Sequence, residues 1–167
     1  GMAGAKLYYP DDTIQHAGVV VGLGGVAAHV LCKLPRDAEG YMGRLRCVQE
    51  ISAVTAACMM VKTSVFKAVG GFDEELKVAF NDIDLCMKVR KYGVKIVFTP
   101  YAELYHYESK SRGMEDTPEK QLRFSREVNC FRRKWERELL KGDPYYNPNL
   151  TLNNTDCSLR KQEKNGD

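Results

Sequence analysis

The run Val69-Gly70-Gly71-Phe72-Asp73-Glu74-Glu75, followed by Phe80-Asn81-Asp82-Ile83-Asp84-Leu85-Cys86, constrains this chain more than any other stretch. A paired-glycine turn leads into an acidic loop, and the loop opens onto an amphipathic helix expected over about residues 82–92. Ile83, Cys86, Val89 and Arg90 share one side at helical spacing, Leu85 joins the apolar stripe, and Gly93 suits the position just past the helix. Asp82 and Asp84 fall in the first turn, where backbone N–H groups lack intrahelical partners. A carboxylate held there is ionised, oriented and partly shielded, which suits a general base. The same residues also suit a purely structural role. Asn81 is a good N-cap, and the two aspartates favour the positive end of the helix dipole. The residues alone leave both readings open.

A chain of 167 residues can enclose one hydrophobic core. With 44% apolar and 28% charged residues it has a soluble globular composition, and a net charge of +3 is too mild to imply nucleic acid. The apolar run at residues 17–30 holds four glycines and His29, too short and too glycine-rich to span a bilayer. No basic segment precedes an apolar one at the N-terminus, so no secretory signal is expected. A cytoplasmic location, including the inner face of a membrane, is expected instead. Six cysteines without any C-x-x-C pair read as reduced thiols rather than disulfides or zinc ligands. Cys58 is expected in an apolar strand and Cys86 on the apolar side of the helix.

Along the chain, residues 5–9 read as a short strand closed by Pro10-Asp11-Asp12, and residues 14–21 as a second strand broken by Gly22-Leu23-Gly24-Gly25. That glycine cluster lacks the G-x-G-x-x-G spacing of a phosphate loop and reads as a hairpin or flap. Residues 33–50 are polar and irregular, with a loop at residues 40–44, ending in Arg44, expected to face a site. Residues 51–61 read as a buried strand, and Lys62-Thr63-Ser64 as the cap of a short helix over residues 65–69. Residues 95–98 read as a strand ending at Pro100, and residues 102–107 as a second extended piece. Thr117-Pro118 supplies the N-cap and first position of the longest helix, expected to reach Lys141. Phe124, Val128, Phe131, Trp135 and Leu139 form its apolar stripe, with Arg126, Arg133 and Arg137 opposite. Gly142-Asp143-Pro144 stops it, a docked extended segment is expected through Leu150, and residues 159–167 read as a frayed polar tail beyond a domain at residues 1–158.

Taken together, Gly70-Gly71-Phe72-Asp73-Glu74, Asn81-Asp82-Ile83-Asp84-Leu85-Cys86, the segment from Pro100 to His106, and Asp143-Pro144-Tyr145-Tyr146-Asn147-Pro148-Asn149-Leu150 resemble the C-terminal half of a family 2 glycosyltransferase. The rhamnosyltransferase-type enzymes of bacterial surface polysaccharide synthesis are the nearest likeness, and it extends over residues 5–152. The resemblance implies an α/β fold of the GT-A type, a mixed sheet with flanking helices, and inverting transfer from a nucleotide-diphosphate sugar to a saccharide acceptor. It implies Asp82 as the catalytic base, Asn81 standing where the family commonly has Glu. Asp84, with Asn81, is expected near the acceptor, Asp84 orienting an acceptor hydroxyl or a neighbouring cation. His106 is expected to complete the coordination of Mn²⁺ or Mg²⁺ on the diphosphate, with Ser109, Ser111 and Arg112 beside that diphosphate.

One departure qualifies this resemblance. The family's nucleotide-binding strands and their Asp-x-Asp motif lie N-terminal to the matched region, and Asp11-Asp12-Thr13 is not that motif. The chain therefore reads as the acceptor-side half, inactive alone, with no metal bound and with an uncovered sheet edge expected to drive self-association. A competing reading is a non-catalytic domain that binds saccharide or a protein partner. A nucleic-acid binder built on Arg126, Arg132, Arg133, Lys134 and Arg137 ranks last, because these cations go round the helix instead of forming a stripe.

Overall fold

The computed structural model describes residues 1–107 and 117–161. Its centre is a parallel pair, β1 (Met2–Tyr8) and β7 (Ile96–Tyr105). Along its whole length β1 has β7 on one side. Its other side is shared by two short antiparallel partners: β2 (Ile14–His16) beside Leu7 and Tyr8, and β6 (Met59–Val61) beside Met2 to Gly4. The two-residue strand β5 (Gln49–Glu50) pairs with Val97 and Phe98 on the outer side of β7. The sheet order is thus β2-β1-β7-β5, with β6 also on β1, a mixed α/β arrangement as expected.

Residues 96–105 form one strand where two pieces were expected. Pro100 is the reason for both. It has no N–H to give to the ladder, and the register jumps there, from Ala5 opposite Thr99 to Lys6 opposite Glu103. The strand bulges at the proline and continues.

Residues 14–21 split the other way, into β2 and β3 (Val19–Val21), because Gly18 at φ 104° turns the chain between them. The glycine cluster makes the expected hairpin: β3 pairs antiparallel with β4 (Ala27–His29) through a 3₁₀ turn at Leu23–Gly25. The buried strand expected at residues 51–61 is absent over most of its length. Residues 51–54 are buried, but their backbone groups go to three different elements. Ile51 N–H donates to Ile96 O (3.0 Å), Val19 N–H donates to Ala53 O (2.9 Å), and Val54 N–H donates to Cys86 Sγ (3.4 Å). The path passes so close to β1 that a Cβ on Gly4 would lie 2.5 Å from Val54 Cβ. Cys58 accordingly lies at the end of a 3₁₀ turn, half-buried, and not in a strand.

The helices are α1 (Thr63–Ala68), α2 (Asn81–Lys91), α3 (Pro118–Lys134) and α4 (Glu136–Lys141). Helix α2 ends as expected at Gly93, whose N–H bonds to Arg90 O (2.9 Å) while Val94 N–H bonds to Val89 O (3.2 Å), a Schellman closure. Thr117 caps α3, its hydroxyl accepting from Lys120 N–H (3.3 Å). The long helix breaks at Trp135, which leaves helical geometry (φ −114°, ψ 21°) and starts α4. Phe131 and Trp135 are buried as the stripe predicts, but Phe124 is 42% exposed.

After α4 the chain docks through turns and not in extended form. Tyr146 N–H bonds to Asp143 O (3.2 Å) and Leu150 N–H to Asn147 O (3.0 Å), with Tyr146 and Leu150 buried. Asp143 anchors this segment, accepting from Val21 N–H (2.8 Å), the Ser52 hydroxyl (2.6 Å) and Tyr145 N–H (2.8 Å). The beginning of the supposed frayed tail is paired, Leu159 bridging to Leu150. None of the six cysteines is in a disulfide; Cys86 and Cys157 are buried and Cys47 is exposed.

Candidate functional site

Asn81 proves to be the first helical residue and not the cap. The cap position belongs to Phe80, in the left-handed region at φ 62° and ψ 4°, with no side-chain capping bond. Phe80 O accepts the first helical bond, from Asp84 N–H (2.8 Å). A bulky residue in this region is strained by roughly 1–3 kcal/mol. The surrounding packing holds it there.

The two aspartates of the first turn have opposite fates. Asp84 is fully buried. Its Oδ1 accepts from the Trp135 indole N–H (2.8 Å) and lies 2.8 Å from Lys134 Nζ, and its Oδ2 lies 3.3 Å from Lys88 Nζ. Lys88 also donates to Gly71 O, and Lys134 also pairs with Asp73. Asp84 therefore ties α2 to the α3–α4 junction and, through two lysines, to Gly71 and Asp73 of the Gly-Gly-Phe-Asp turn. Asp84 presents no oxygen to solvent and holds this joint together. Burial pulls the Lys134 pKa down, but hydrogen bonds to Asp73 and Asp84 outweigh that and leave it raised. The Lys134 hydrogen bond and the Glu75 N–H in turn hold the Asp73 carboxyl below its usual range.

Asp82 points the other way. It is partly exposed, its Oδ2 accepting from Ala56 N–H (3.0 Å) and its Oδ1 from Ile83 N–H (2.9 Å). Two backbone donors fix the carboxylate while one side stays open to solvent. A carboxylate so held keeps lone pairs for an incoming hydroxyl.

From Ala56 a line of polar contacts leads to His106. Thr55 N–H donates to His16 Nε2 (3.4 Å), and His16 meets the His29 ring edge-on, with centroids 4.7 Å apart. His29 Nδ1 lies 3.0 Å from Gln15 O. The Gln15 side chain then brackets His106: its Nε2 donates to His106 O (3.2 Å), and its Oε1 faces His106 Nδ1 (2.8 Å). The first bond sets the amide orientation, so in the neutral ring Nδ1 carries the proton and Nε2 the lone pair. His106 N–H bonds to Tyr8 O (3.0 Å), which places the ring at the C-terminal end of the parallel strands. This orientation by a neighbouring side chain is what a metal-binding imidazole needs. Among the described residues no three His, Cys, Asp or Glu side chains gather as a metal cage. His106 thus offers a single nitrogen donor. Ser109, Ser111 and Arg112 lie outside the described residues.

Sequence reasoning missed three participants. Gln15 orients His106, Asp143 pins three segments behind the site, and Glu127 holds the loop before α2. Arg36 forms a further cluster, stacking 4.5 Å over the Tyr8 ring and pairing with Glu103 (2.8 Å) and Asp12 (3.3 Å). In the loop at residues 40–44, expected to face the site, Gly40 lies against Leu31 and Leu45, Met42 is exposed, and Arg44 donates to Tyr145 O (3.5 Å).

No protein-family model and no solved structure matches the chain. Among the described residues no helix is long and apolar enough to cross a membrane. The chain is 59% identical over 160 residues to an uncharacterised protein, y4gI, of Sinorhizobium fredii, covering 95% of this chain and 18% of that protein. It is 39% identical over 168 residues to the O-antigen biosynthesis protein RfbC of Myxococcus xanthus, covering 100% of this chain and 13% of the relative. Over 62 residues it is 36% identical to the N-acetylglucosaminyl-diphospho-decaprenol L-rhamnosyltransferase of Mycobacterium tuberculosis, covering 37% of this chain and 20% of that enzyme. The chain spans less than a fifth of the length of the first two relatives.

Proposed function

We propose that this chain is the acceptor-side part of a glycosyltransferase that builds a bacterial surface polysaccharide, of the inverting family 2, GT-A type. The observation that carries this reading is the division of labour in the first turn of α2, one aspartate locked inside and the other fixed but open. The names of an O-antigen biosynthesis protein and a rhamnosyltransferase among its relatives support the same reaction class. In this reading Asp82 takes the proton from an acceptor hydroxyl as that oxygen attacks the sugar carbon, and the nucleotide diphosphate leaves from the opposite face. Asp84 keeps the base in place from below, and Asn81 borders the acceptor. His106, oriented by Gln15, would hold through Nε2 a Mn²⁺ or Mg²⁺ that neutralises the departing diphosphate. Ser109, Ser111 and Arg112 would add donors to the same phosphates.

The test is transfer by the full-length protein, with UDP-, GDP- and dTDP-sugars as donors. Asp82→Asn leaves the helix start tolerable and lowers kcat by about 10²–10⁴-fold. Full activity in that variant returns Asp82 to the role of a helix-end carboxylate. The isolated 167-residue chain should show negligible transfer, and micromolar binding of a nucleotide diphosphate by it would mean that the donor site has been misplaced.

A further inference from the structure

The start of α2 has no side-chain cap, and the residue at its cap position is an aromatic at positive φ. Something outside the helix must hold the turn. Two features of α3 do so. Glu127, only 3% exposed, accepts Val78 N–H at Oε1 (3.0 Å) and Ala79 N–H at Oε2 (2.9 Å), so one carboxylate bridges the two peptide groups just before Phe80. Arg123 lies one helical turn away, its Nε 3.9 Å from Glu127 Oε2. The Phe80 ring then sits against two rings of the same helix, Phe131 at 5.4 Å and Phe124 at 5.8 Å between centroids. Backbone and side chain of the strained turn are thus gripped by one face of α3.

We infer that Glu127 is a positioning residue for the base: its clamp on residues 78–79, backed by the Phe124–Phe80–Phe131 stack, sets where the first turn of α2 begins and hence where Asp82 points. This rests on the assignment of Asp82 as the base. A carboxylate accepting two backbone N–H bonds at nearly zero exposure makes a charge-assisted pair that no neutral side chain reproduces. Glutamine at this place has one carbonyl oxygen, and its NH₂ group would face an N–H donor. Glu127→Gln therefore keeps the shape and loses half the clamp. Phe124→Ala, at the half-exposed rim of the stack, loosens Phe80 with little disturbance of the core.

Two measurements separate this inference from the assignment it rests on. The first, amide hydrogen exchange on the 167-residue chain, needs no substrate. In Glu127→Gln the amides of residues 78–84 should exchange about tenfold faster or more, while those of β1 and β7 keep their protection. Phe124→Ala should give the same local signature centred on residues 80–84. Unchanged exchange in the loop, or an increase spread evenly over the chain, overturns the clamp. The second is kinetics of the full-length protein with the donor panel above. Glu127→Gln should lower kcat about tenfold or more with the donor KM unchanged, because binding is intact and the base is misplaced. Faster loop exchange with unchanged kcat overturns the positioning role. If Asp82→Asn is fully active while Glu127→Gln still speeds loop exchange, the base assignment fails and the clamp stands as a structural device.

Discussion

His16 shows how a single residue can set a pH limit on the fold. It is fully buried, and burial first, then the neighbouring His29 ring, hold its pKa well below the ordinary value. The folded chain therefore keeps the imidazole neutral, with Nε2 accepting from Thr55 N–H. Once unfolded, the same imidazole takes up a proton near pH 6.5. The unfolded state thus binds the extra proton first, so stability is complete above about pH 6.5 and falls as the pH drops below it, by at most about 1.4 kcal/mol per pH unit. Urea unfolding at pH 7.5, 6.5 and 5.5 should show this decline before most carboxylates protonate. His16→Gln, which retains an acceptor for Thr55, should flatten it. An unchanged slope in that variant would move the acid sensitivity to another group, though not to Asp73, whose depressed pKa makes its contribution fail only below the ordinary carboxylate range.

Among elements, the decisive joint is between α2 and the break separating α3 from α4. At the break the Trp135 indole N–H donates to Asp84 Oδ1 (2.8 Å). Asp84→Ala removes the acceptor shared by Trp135, Lys134 and Lys88 and strands the buried indole N–H, while Lys88 keeps Gly71 O and Lys134 keeps Asp73, so it should cost about 3 kcal/mol in urea unfolding. Trp135→Phe keeps the ring but loses one bond to a charged group, a cost of roughly 1.5–3 kcal/mol. Equal losses in the two variants would mean that ring packing, and not the carboxylate, holds the joint. On the sheet side, the close approach of residues 51–54 to β1 depends on Gly4. A methyl group there meets Val54 at 2.5 Å, so Gly4→Ala should cost about 1–3 kcal/mol through overpacking.

For the molecule as a whole, the outer edge of β7 is the open feature. Past Phe98, where β5 stops, no described strand pairs with it, and Tyr101, Leu104 and Tyr105 are exposed along it. An unprotected edge with apolar side chains invites another strand. Self-association of this chain through that edge should appear as a concentration-dependent dimer in light scattering. Leu104→Lys should shift the chain toward monomer without changing its far-UV spectrum. A monomer at high concentration before substitution would show that the bulge at Pro100 already protects the edge.

What the sequence determined by itself is everything that depends on neighbours within a turn or two. Gly93 past α2, Thr117-Pro118 before α3, the hairpin at the glycine cluster and the burial of Phe131 and Trp135 follow from helical spacing, caps and turn residues, because those forces act over three or four positions. Asp82 and His106 were also readable as residues of interest. Only the tertiary structure gave the chemically identical Asp82 and Asp84 different surroundings, one partly exposed and one buried, since the burial of Asp84 rests on Trp135 and Lys134, some fifty residues away in sequence but touching in space. The same holds for Phe80 in place of Asn81 at the cap, where Glu127 and two rings from α3 outweigh the local preference for a capping side chain. It holds too for residues 51–54, an apolar run that looks like a strand yet spends its backbone bonds on three separate elements. Apolar periodicity records that a side chain is buried, but a backbone hydrogen bond or a buried charge takes whichever partner the completed fold brings within about 3 Å.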